Sequence, residues 1–296
     1  MRRAWVFVLC AAASCLGWAQ QRPAITGIAF VRVYASDMAA SDAFYAKTIG
    51  LKGTKSGDIV RYDVSDSQWV EVKPLPSPAP ASRLEAVAFT TRDAAGMEKY
   101  LKAHGVAIVE PLKKGVFGVK DPEGNLILFV QEGTKVAGVP AASPTATSRR
   151  IIHAGLMVRD RAAEDKFYKD LLGFTPYWAG GPTPHKTNWV SQQVPEGSDW
   201  LEYMLNVSAT PSLKELGVVD HMALGTVHMS DVIAQLAKNG CQGPNCTASK
   251  MGADGKVQLN MYDPDLTRIE FMEFEPSGPV CCSPITGRHP TDVESK

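Results

Sequence analysis

The chain contains the same sequence module twice, and this duplication limits what it can fold into more than any other feature. The first copy begins FVRVYASD, ending at Asp37, and the second begins HAGLMVRD, ending at Asp160. In both copies a Phe-Tyr pair starts seven residues after that Asp, and a glycine follows the Asp by thirteen. We therefore predict two domains of the same architecture within the 296 residues.

The two copies differ in a concerted way at three positions. Apolar residues of the first copy align with potential metal ligands of the second: Phe30 with His153, Ala86 with His221, and Leu128 with Glu270. Two imidazoles and a carboxylate suit Fe, Mn, Zn, Co or Ni as divalent ions and leave positions open for a substrate with two adjacent oxygens. We predict a metal site in the second copy and a degenerate, metal-free first copy.

The first 19 residues are typical of a secretory signal. Arg2 and Arg3 precede an apolar stretch that ends near Trp18 and is too short to span a bilayer. A buried N-terminal helix and a lipoprotein cut before Cys15 are the alternatives. We predict cleavage after Ala19 and an exported protein, periplasmic or secreted.

Four cysteines remain after that cleavage, all in the C-terminal part of the chain: Cys241, Cys246, Cys281 and Cys282. An even number in an exported protein favours disulfides, and neither pair has the CxxC spacing of a thiolate metal site. We expect Cys241 or Cys246 to pair with Cys281 or Cys282, which would tether the tail. A bridge between Cys241 and Cys246 is the alternative.

The charge of the chain is balanced, with 31 basic and 31 acidic residues. We find no clustered basic face, which argues against nucleic acid and anionic membrane surfaces as partners. The expected partner is a small-molecule substrate.

Each copy divides again into two halves in which a strand, a helix and further strands follow one another. Helical spacing predicts four helices: 38–48, 94–104, 161–172 and 230–238. The segments 74–82 and 206–217 are interpreted as breaks between halves. We predict an α+β chain of two tandem modules, each a pair of βαβββ units forming a curved, partly open barrel-like sheet. Module one covers 25–133, a linker 134–149, module two 150–275 and a tail 276–296.

Tandem βαβββ units of these lengths resemble the vicinal oxygen chelate superfamily, which includes glyoxalase I, extradiol dioxygenases and bleomycin-resistance proteins. The strongest marks are D-x6-FY-x3-(L/I)G after the first strand, and DPEGNLILF or DPDLTRIEF before the last. The resemblance covers about residues 25 to 275 and implies metal ligands on the first, fourth, fifth and eighth strands of a module. In module two these positions are His153, Glu202, His221 and Glu270.

Two of the candidate site residues have competing interpretations. Glu202 would complete the ligand set of glyoxalase I, but its counterpart Glu71 persists in module one, which favours packing or a hydrogen bond. His185 lies in a loop that is longer in module two, where substrate-contacting or acid–base residues are common. A solvated loop histidine is the alternative for His185.

The resemblance implies three possible functions. The first is glyoxalase-, isomerase- or lyase-like chemistry through a metal-stabilised enediolate, with Glu202 or Glu270 as the base. The second is extradiol ring cleavage, which a metal site in the second module favours because extradiol dioxygenases of two modules hold their metal only in the C-terminal one. Against it, the position of their signature Tyr is occupied by Asn260 here. The third is non-catalytic ligand binding. Swapping ligands between modules would leave both sites incomplete, so module two is expected to form its site alone.

Overall fold

The computed structural model describes residues 21–134 and 143–292. The predicted signal peptide and half of the predicted linker, residues 135–142, lie outside these residues. Within the described part of the chain, no helix is long and apolar enough to cross a membrane.

Module one is an eight-stranded mixed sheet. Its strands, in chain order, are β1 (Ile25–Ala35), β2 (Lys52–Ser56), β3 (Ile59–Asp63), β4 (Trp69–Pro74), β5 (Leu84–Thr91), β6 (Ile108–Lys113), β7 (Val116–Lys120) and β8 (Leu126–Gln131). The spatial order is β2-β3-β4-β1-β5-β8-β7-β6. The first strands of the two halves therefore lie side by side in the middle of the sheet.

Module two repeats this arrangement. Its strands are β9 (Ile151–Met157), β10 (Thr175–Gly180), β11 (Trp189–Gln193), β12 (Trp200–Met204), β13 (His221–Thr226), β14 (Lys250–Met251), β15 (Val257–Tyr262) and β16 (Arg268–Glu273). Their order is β10-β11-β12-β9-β13-β16-β15-β14, the same as in module one. The predicted α+β class and the two tandem modules are confirmed.

The strand register also confirms the predicted alignment of the two copies. Ala88 faces Phe30 on one side and Leu128 on the other. In module two Ala223 faces His153 and Glu270 in the same way. Because a register shift of one residue would turn every side chain to the other face, this agreement fixes which residues line each concave face.

The helices lie where the spacing predicts them, with one addition. They are α1 (Met38–Asp42), continued by a π-helical turn Ala43–Thr48, α2 (Ala94–Ala103), α3 (Arg161–Asp165), continued by a π-helical turn Lys166–Leu171, α4 (Leu213–Val219) and α5 (Met229–Lys238). Asp37 and Asp160 cap α1 and α3 by accepting backbone N–H bonds. The repeated Asp of the sequence motif is thus a helix cap.

Helix α4 corrects the interpretation of 206–217 as a plain break between halves. Ser212 accepts a hydrogen bond from the N–H of Glu215, whose carboxylate in turn accepts one from the N–H of Ser212. This capping box satisfies two backbone donors at once and allows a helix of seven residues to form. The equivalent break in module one contains no helix.

The two modules exchange a matching pair of hydrogen bonds. The hydroxyl of Tyr45 in module one donates to Asp263 of module two at 2.9 Å, and that of Tyr168 donates to Asp121 of module one at 3.1 Å. Both tyrosines are buried. In both copies, the tyrosine of the Phe-Tyr pair and the aspartate of the Asp-Pro turn therefore hydrogen-bond to the opposite module.

The disulfides differ from the expected tether, and one of them is the alternative given above. Cys241 pairs with Cys246, as in that alternative, and Cys281 pairs with its neighbour Cys282. The predicted tether between the two groups is wrong, because both cysteines of each group are already paired locally. A short 3₁₀ turn, Pro244–Cys246, brings Cys246 back to Cys241. The tail is held instead by hydrogen bonds such as that from the N–H of Cys281 to the carbonyl of Ala253.

Candidate metal centre

His153 lies in the middle of β9 and faces the concave side of module two. Its side chain is fully buried, and its ring stacks on Trp200 with centroids 4.8 Å apart. The indole of Trp200 thereby fixes the plane of the imidazole. Nδ1 of His153 has no hydrogen-bond partner among the described residues, and Nε2 points at His221.

His221 is the first residue of β13, directly after α4. Its Nδ1 donates to the carbonyl of Val219 at 2.9 Å, so that Nε2 is left with its lone pair. Such a bond fixes the tautomer and orientation of a metal-binding histidine. The ring occupies space above Gly155 on the neighbouring strand, where a Cβ would overlap it. Gly155 is therefore required by the position of His221.

Glu270 lies on β16 and completes the cluster. Its Oε2 is 3.4 Å from Nε2 of His153 and 3.5 Å from Nε2 of His221, and the two imidazole nitrogens are 3.1 Å apart. Ligands bound to one ion at 2.0–2.2 Å in tetrahedral or octahedral geometry are about 3.0–3.5 Å from one another. The predicted convergence of the three side chains is observed, at the spacing that a shared ion needs.

The protonation states of the cluster suit a cation. Burial lowers the pKa of both imidazoles, and the charge of Arg268 acts in the same direction. For His221 the resulting pKa is about 3. Burial alone would raise the pKa of Glu270, but Arg268 and the two histidines bring it well below its usual value. Two neutral imidazoles and an ionised carboxylate are the forms that bind transition metals. The donor set therefore fits a first-row divalent ion.

Glu202 lines the same concave face, one strand away from His153. Its Oε2 lies 3.7 Å from Nε2 of His221 and 4.0 Å from Nε2 of His153. Burial and the neighbouring Glu270 raise the pKa of Glu202 to about 8. Glu202 is thus close enough to take part in the site, but it is the most distant of the four side chains and is protonated at neutral pH.

Sequence reasoning missed Arg268, which supplies the only positive charge in direct contact with the cluster among the described residues. Its Nη2 donates to Nε2 of His221 at 2.8 Å, and its Nη1 lies 3.7 Å from Glu270 and donates to Asn260 at 3.2 Å. Arg268 precedes Glu270 by two residues on the same strand, so the alternation of side chains could have identified it. An ion bound by His221 would displace this contact.

His185 is exposed in a tight turn between β10 and β11, where Thr183 and Lys186 form an isolated bridge. Among the described residues it has no hydrogen bond or ion pair to the cluster. Its proposed role as a substrate-contacting or acid–base residue stays a prediction.

Module one has no such cluster in the equivalent place. Phe30 stacks on Trp69 with centroids 4.9 Å apart, and Ala86 and Leu128 are buried beside them. Within residues 21–134 and 143–292, His153, His221 and Glu270 are the one group of three such side chains close enough to hold an ion. The concave face of module one is therefore unable to hold a metal in the same way.

Comparisons with known proteins agree with this architecture. A sequence model described as the Glyoxalase/Bleomycin resistance protein/Dioxygenase superfamily matches residues 27–129 and 150–271. No curated protein matches the chain.

Among solved structures, homoprotocatechuate 2,3-dioxygenase from Brevibacterium fuscum, in complex with 3,4-dihydroxyphenylacetate, is similar with a TM-score of 0.65. The two chains are 19% identical, with 88% of this chain and 86% of that one covered. The enzyme of the same name from Arthrobacter globiformis gives a TM-score of 0.64 at 18% identity, covering 88% and 84%. At these identities the likeness is one of fold.

Proposed function

Because the chain belongs to the glyoxalase/bleomycin resistance protein/dioxygenase superfamily, we propose that module two is a metal-dependent catalytic centre. It binds a small substrate through two adjacent oxygens and carries out proton transfer of the glyoxalase, isomerase or lyase type. The observation that carries this proposal is the convergence of His153, His221 and Glu270 within 3.1–3.5 Å, with the carboxyl of Glu202 beside them.

The donor set assigns a role to each side chain. His153, His221 and Glu270 would hold a first-row divalent ion, which supplies a Lewis acid that polarises a substrate carbonyl. With the cation bound, which favours the ionised form of Glu202, its carboxylate would take the proton from the carbon beside that carbonyl and return it to the neighbouring carbon. A carboxyl whose pKa is raised to about 8 is suited to both steps near neutral pH.

Arg268 gives the site a second source of positive charge. Once displaced from His221, its guanidinium would stay within reach of a substrate oxygen on which negative charge develops. Asn260 accepts a hydrogen bond from the same guanidinium at 3.2 Å and so limits how far it can move. Together, Glu202 and Arg268 provide the base and the anion-stabilising group that an enolisation requires.

Extradiol ring cleavage is the second candidate. It is favoured by the ligand set itself, since two histidines and one carboxylate with open positions are typical of non-haem Fe(II) oxygenases. Against it, Asn260 replaces the tyrosine that the resemblance calls for. Oxygen consumption with catechols separates the two candidates, because enolisation consumes none.

Elemental analysis after purification without chelators tests the metal site. Near-stoichiometric transition metal is expected in the wild type and should be lost in the double variant His153→Ala, His221→Ala. His228→Ala is the matched control, since this histidine is exposed and outside the cluster. A wild type without metal, under conditions in which Fe, Mn, Zn, Co and Ni are each offered, would favour a ligand-binding protein instead.

The two reactions are then distinguished with the metal-loaded protein. Proton exchange into α-hydroxy-carbonyl compounds, followed by NMR in deuterated water, is expected in the wild type and should be lost in Glu202→Gln. Oxygen uptake with catechols in the absence of such exchange would replace this proposal with the dioxygenase.

A further inference from the structure

A pocket of about 380 Å³ lies in module two, next to the strand that carries Glu202 and the helix that precedes His221. Its walls come from β11, β12 and α4, and the apolar side chains that line it include Trp189, Met204, Val218 and Val219. This volume lies within the range of about 300–1,000 Å³ that is usual for small-molecule sites.

Two residues of the pocket wall are close to the cluster in the chain. Met204 follows Glu202 by two residues on β12, so both side chains are on the same face of the sheet. Val219 lines the pocket, and its carbonyl accepts the hydrogen bond that orients His221. The wall at Met204 is therefore about 7 Å along β12 from Glu202, within reach of the distal part of a substrate held at the cluster.

The opposite end of the concave face is filled by protein. Trp200 stacks between His153 and Tyr177, and the buried amine of Lys256 donates to the Tyr177 hydroxyl at 2.9 Å. The tail closes this end, with His289 hydrogen-bonded to Tyr177 at 2.9 Å. The part of a substrate that does not contact the cluster therefore has space towards α4.

The wall formed by α4 is held rigidly and is specific to module two. Gly217 lies against the carbonyl of Leu266 so closely that a Cβ would overlap it. Leu266 belongs to the turn that leads into the strand of Glu270, and its φ is 70°. The equivalent residue of module one is Gly124, which also has a positive φ. The helix is thereby fixed to the two strands that carry His221 and Glu270.

We infer that this pocket binds an uncharged apolar group of the substrate, so that the substrate class is an apolar compound with two adjacent oxygens at one end. The inference rests on the proposed function. The charged residues at the rim, Lys214 and Glu215, carry opposite signs, so the pocket favours neither an acidic nor a basic group. Several carbons buried among Trp189, Met204 and Val219 contribute the binding free energy of a hydrophobic contact.

The test compares probes that differ only in their apolar part. Calorimetric titration of the Mn²⁺-loaded protein under anaerobic conditions should show 4-tert-butylcatechol binding at least tenfold more tightly than catechol. In Val218→Trp, which fills the pocket, the two affinities should become equal while that for catechol is retained. Val227→Trp, at an exposed position outside the pocket, is the control. Val218→Phe serves if the larger substitution prevents folding.

The outcomes separate this inference from the proposed function. Equal affinities for the two catechols in the wild type, or a preference that persists in the filled variant, would overturn the pocket assignment. The preference for 4-tert-butylphenol over phenol, measured on the metal-free protein, tests the pocket alone, and its absence would count against the assignment. If Mn²⁺ does not increase the affinity for catechol, the proposed function fails while the tert-butyl preference still reports on the pocket.

Discussion

Arg32 in module one occupies the strand position that Gly155 occupies in module two. Arg32 faces Ala86 on the neighbouring strand, as Gly155 faces His221. Where the imidazole is present the neighbouring residue has no side chain, and where the imidazole is absent a long side chain fills the space. The residues at the two positions therefore differ in a concerted way between the modules.

This exchange explains why a glutamate is found in both modules. Glu71 accepts a hydrogen bond from Nε of Arg32 at 2.6 Å and another from the indole of Trp69 at 3.0 Å. Its charge is therefore compensated within module one. Among the described residues, Glu202, the counterpart of Glu71, has no ion pair with an arginine or lysine. Its raised pKa indicates a carboxyl that an added ion would ionise. The same residue type thus serves packing in one module and is available for chemistry in the other.

The first prediction concerns Gly155. Gly155→Ala should lower the bound transition metal by at least tenfold, because the added methyl group displaces the imidazole of His221. Metal content and the affinity for Mn²⁺ are the measurements. Gly53→Ala is the control, since its Cβ would come no closer than 3.0 Å to another atom, a ring carbon of Tyr62. Unchanged metal content in Gly155→Ala would show that His221 is not a ligand.

The second prediction concerns pH and the metal-free protein. The folded-state pKa of Glu202 is about 8, above its ordinary value of 4.5, so the folded state holds a proton that the unfolded state has released. The free energy of unfolding should therefore fall as the pH rises from 6 to 8.5, by about 2 kcal/mol from this group. Urea denaturation of the wild type and Glu202→Gln checks this. If the decline is the same in both proteins, Glu202 ionises normally.

The histidines act in the opposite direction at lower pH. The pKa of His221 falls to about 3 on folding, so the unfolded state binds more protons between that value and its ordinary pKa of 6.5. The contribution of His221 to stability therefore rises with pH through this window. Since the unfolded imidazole titrates around pH 6.5, part of this rise falls within the range of the second prediction and opposes the decline. The comparison with Glu202→Gln isolates the carboxyl, because both proteins contain the same histidines.

The third prediction concerns Arg268. Arg268→Gln should raise the affinity for a divalent ion by about tenfold, because it removes a positive charge next to the ligands. Arg268→Lys keeps the charge and should leave the affinity closer to that of the wild type. Competition with a fluorescent chelator measures both. A weaker affinity in Arg268→Gln would mean that the guanidinium supports the ligands rather than competing with the ion.

The fourth prediction concerns the contact between the modules. Tyr45→Phe and Tyr168→Phe should each lower the free energy of unfolding by about 1.5–3 kcal/mol, since each leaves a buried carboxyl without its hydroxyl partner. Tyr262→Phe, at an exposed position, should change it by less than about 0.5 kcal/mol. If the two buried variants are as stable as Tyr262→Phe, the paired bonds do not hold the modules together.

The sequence was sufficient for the fold and for the three central residues of the site. Strand periodicity and the repeat place His153, His221 and Glu270 on one face, and these are local properties of the chain. Arg268 was missed although it alternates with Glu270 on β16, because alternation gives the face of the sheet but not the contacts of the guanidinium with His221 and Asn260. Helix α4 was missed although Ser212 and Glu215 carry a capping-box signature. Disulfide partners depend on how loops approach one another, which four cysteines do not specify.

The reciprocal bonds of Tyr45 with Asp263 and of Tyr168 with Asp121 have a consequence for how the chain can be truncated. Each half supplies the partner of a buried group in the other, so removing either half leaves a buried tyrosine and a buried carboxyl unsatisfied. Module two is therefore expected to lose stability when it is produced alone, although His153, His221 and Glu270 all belong to it.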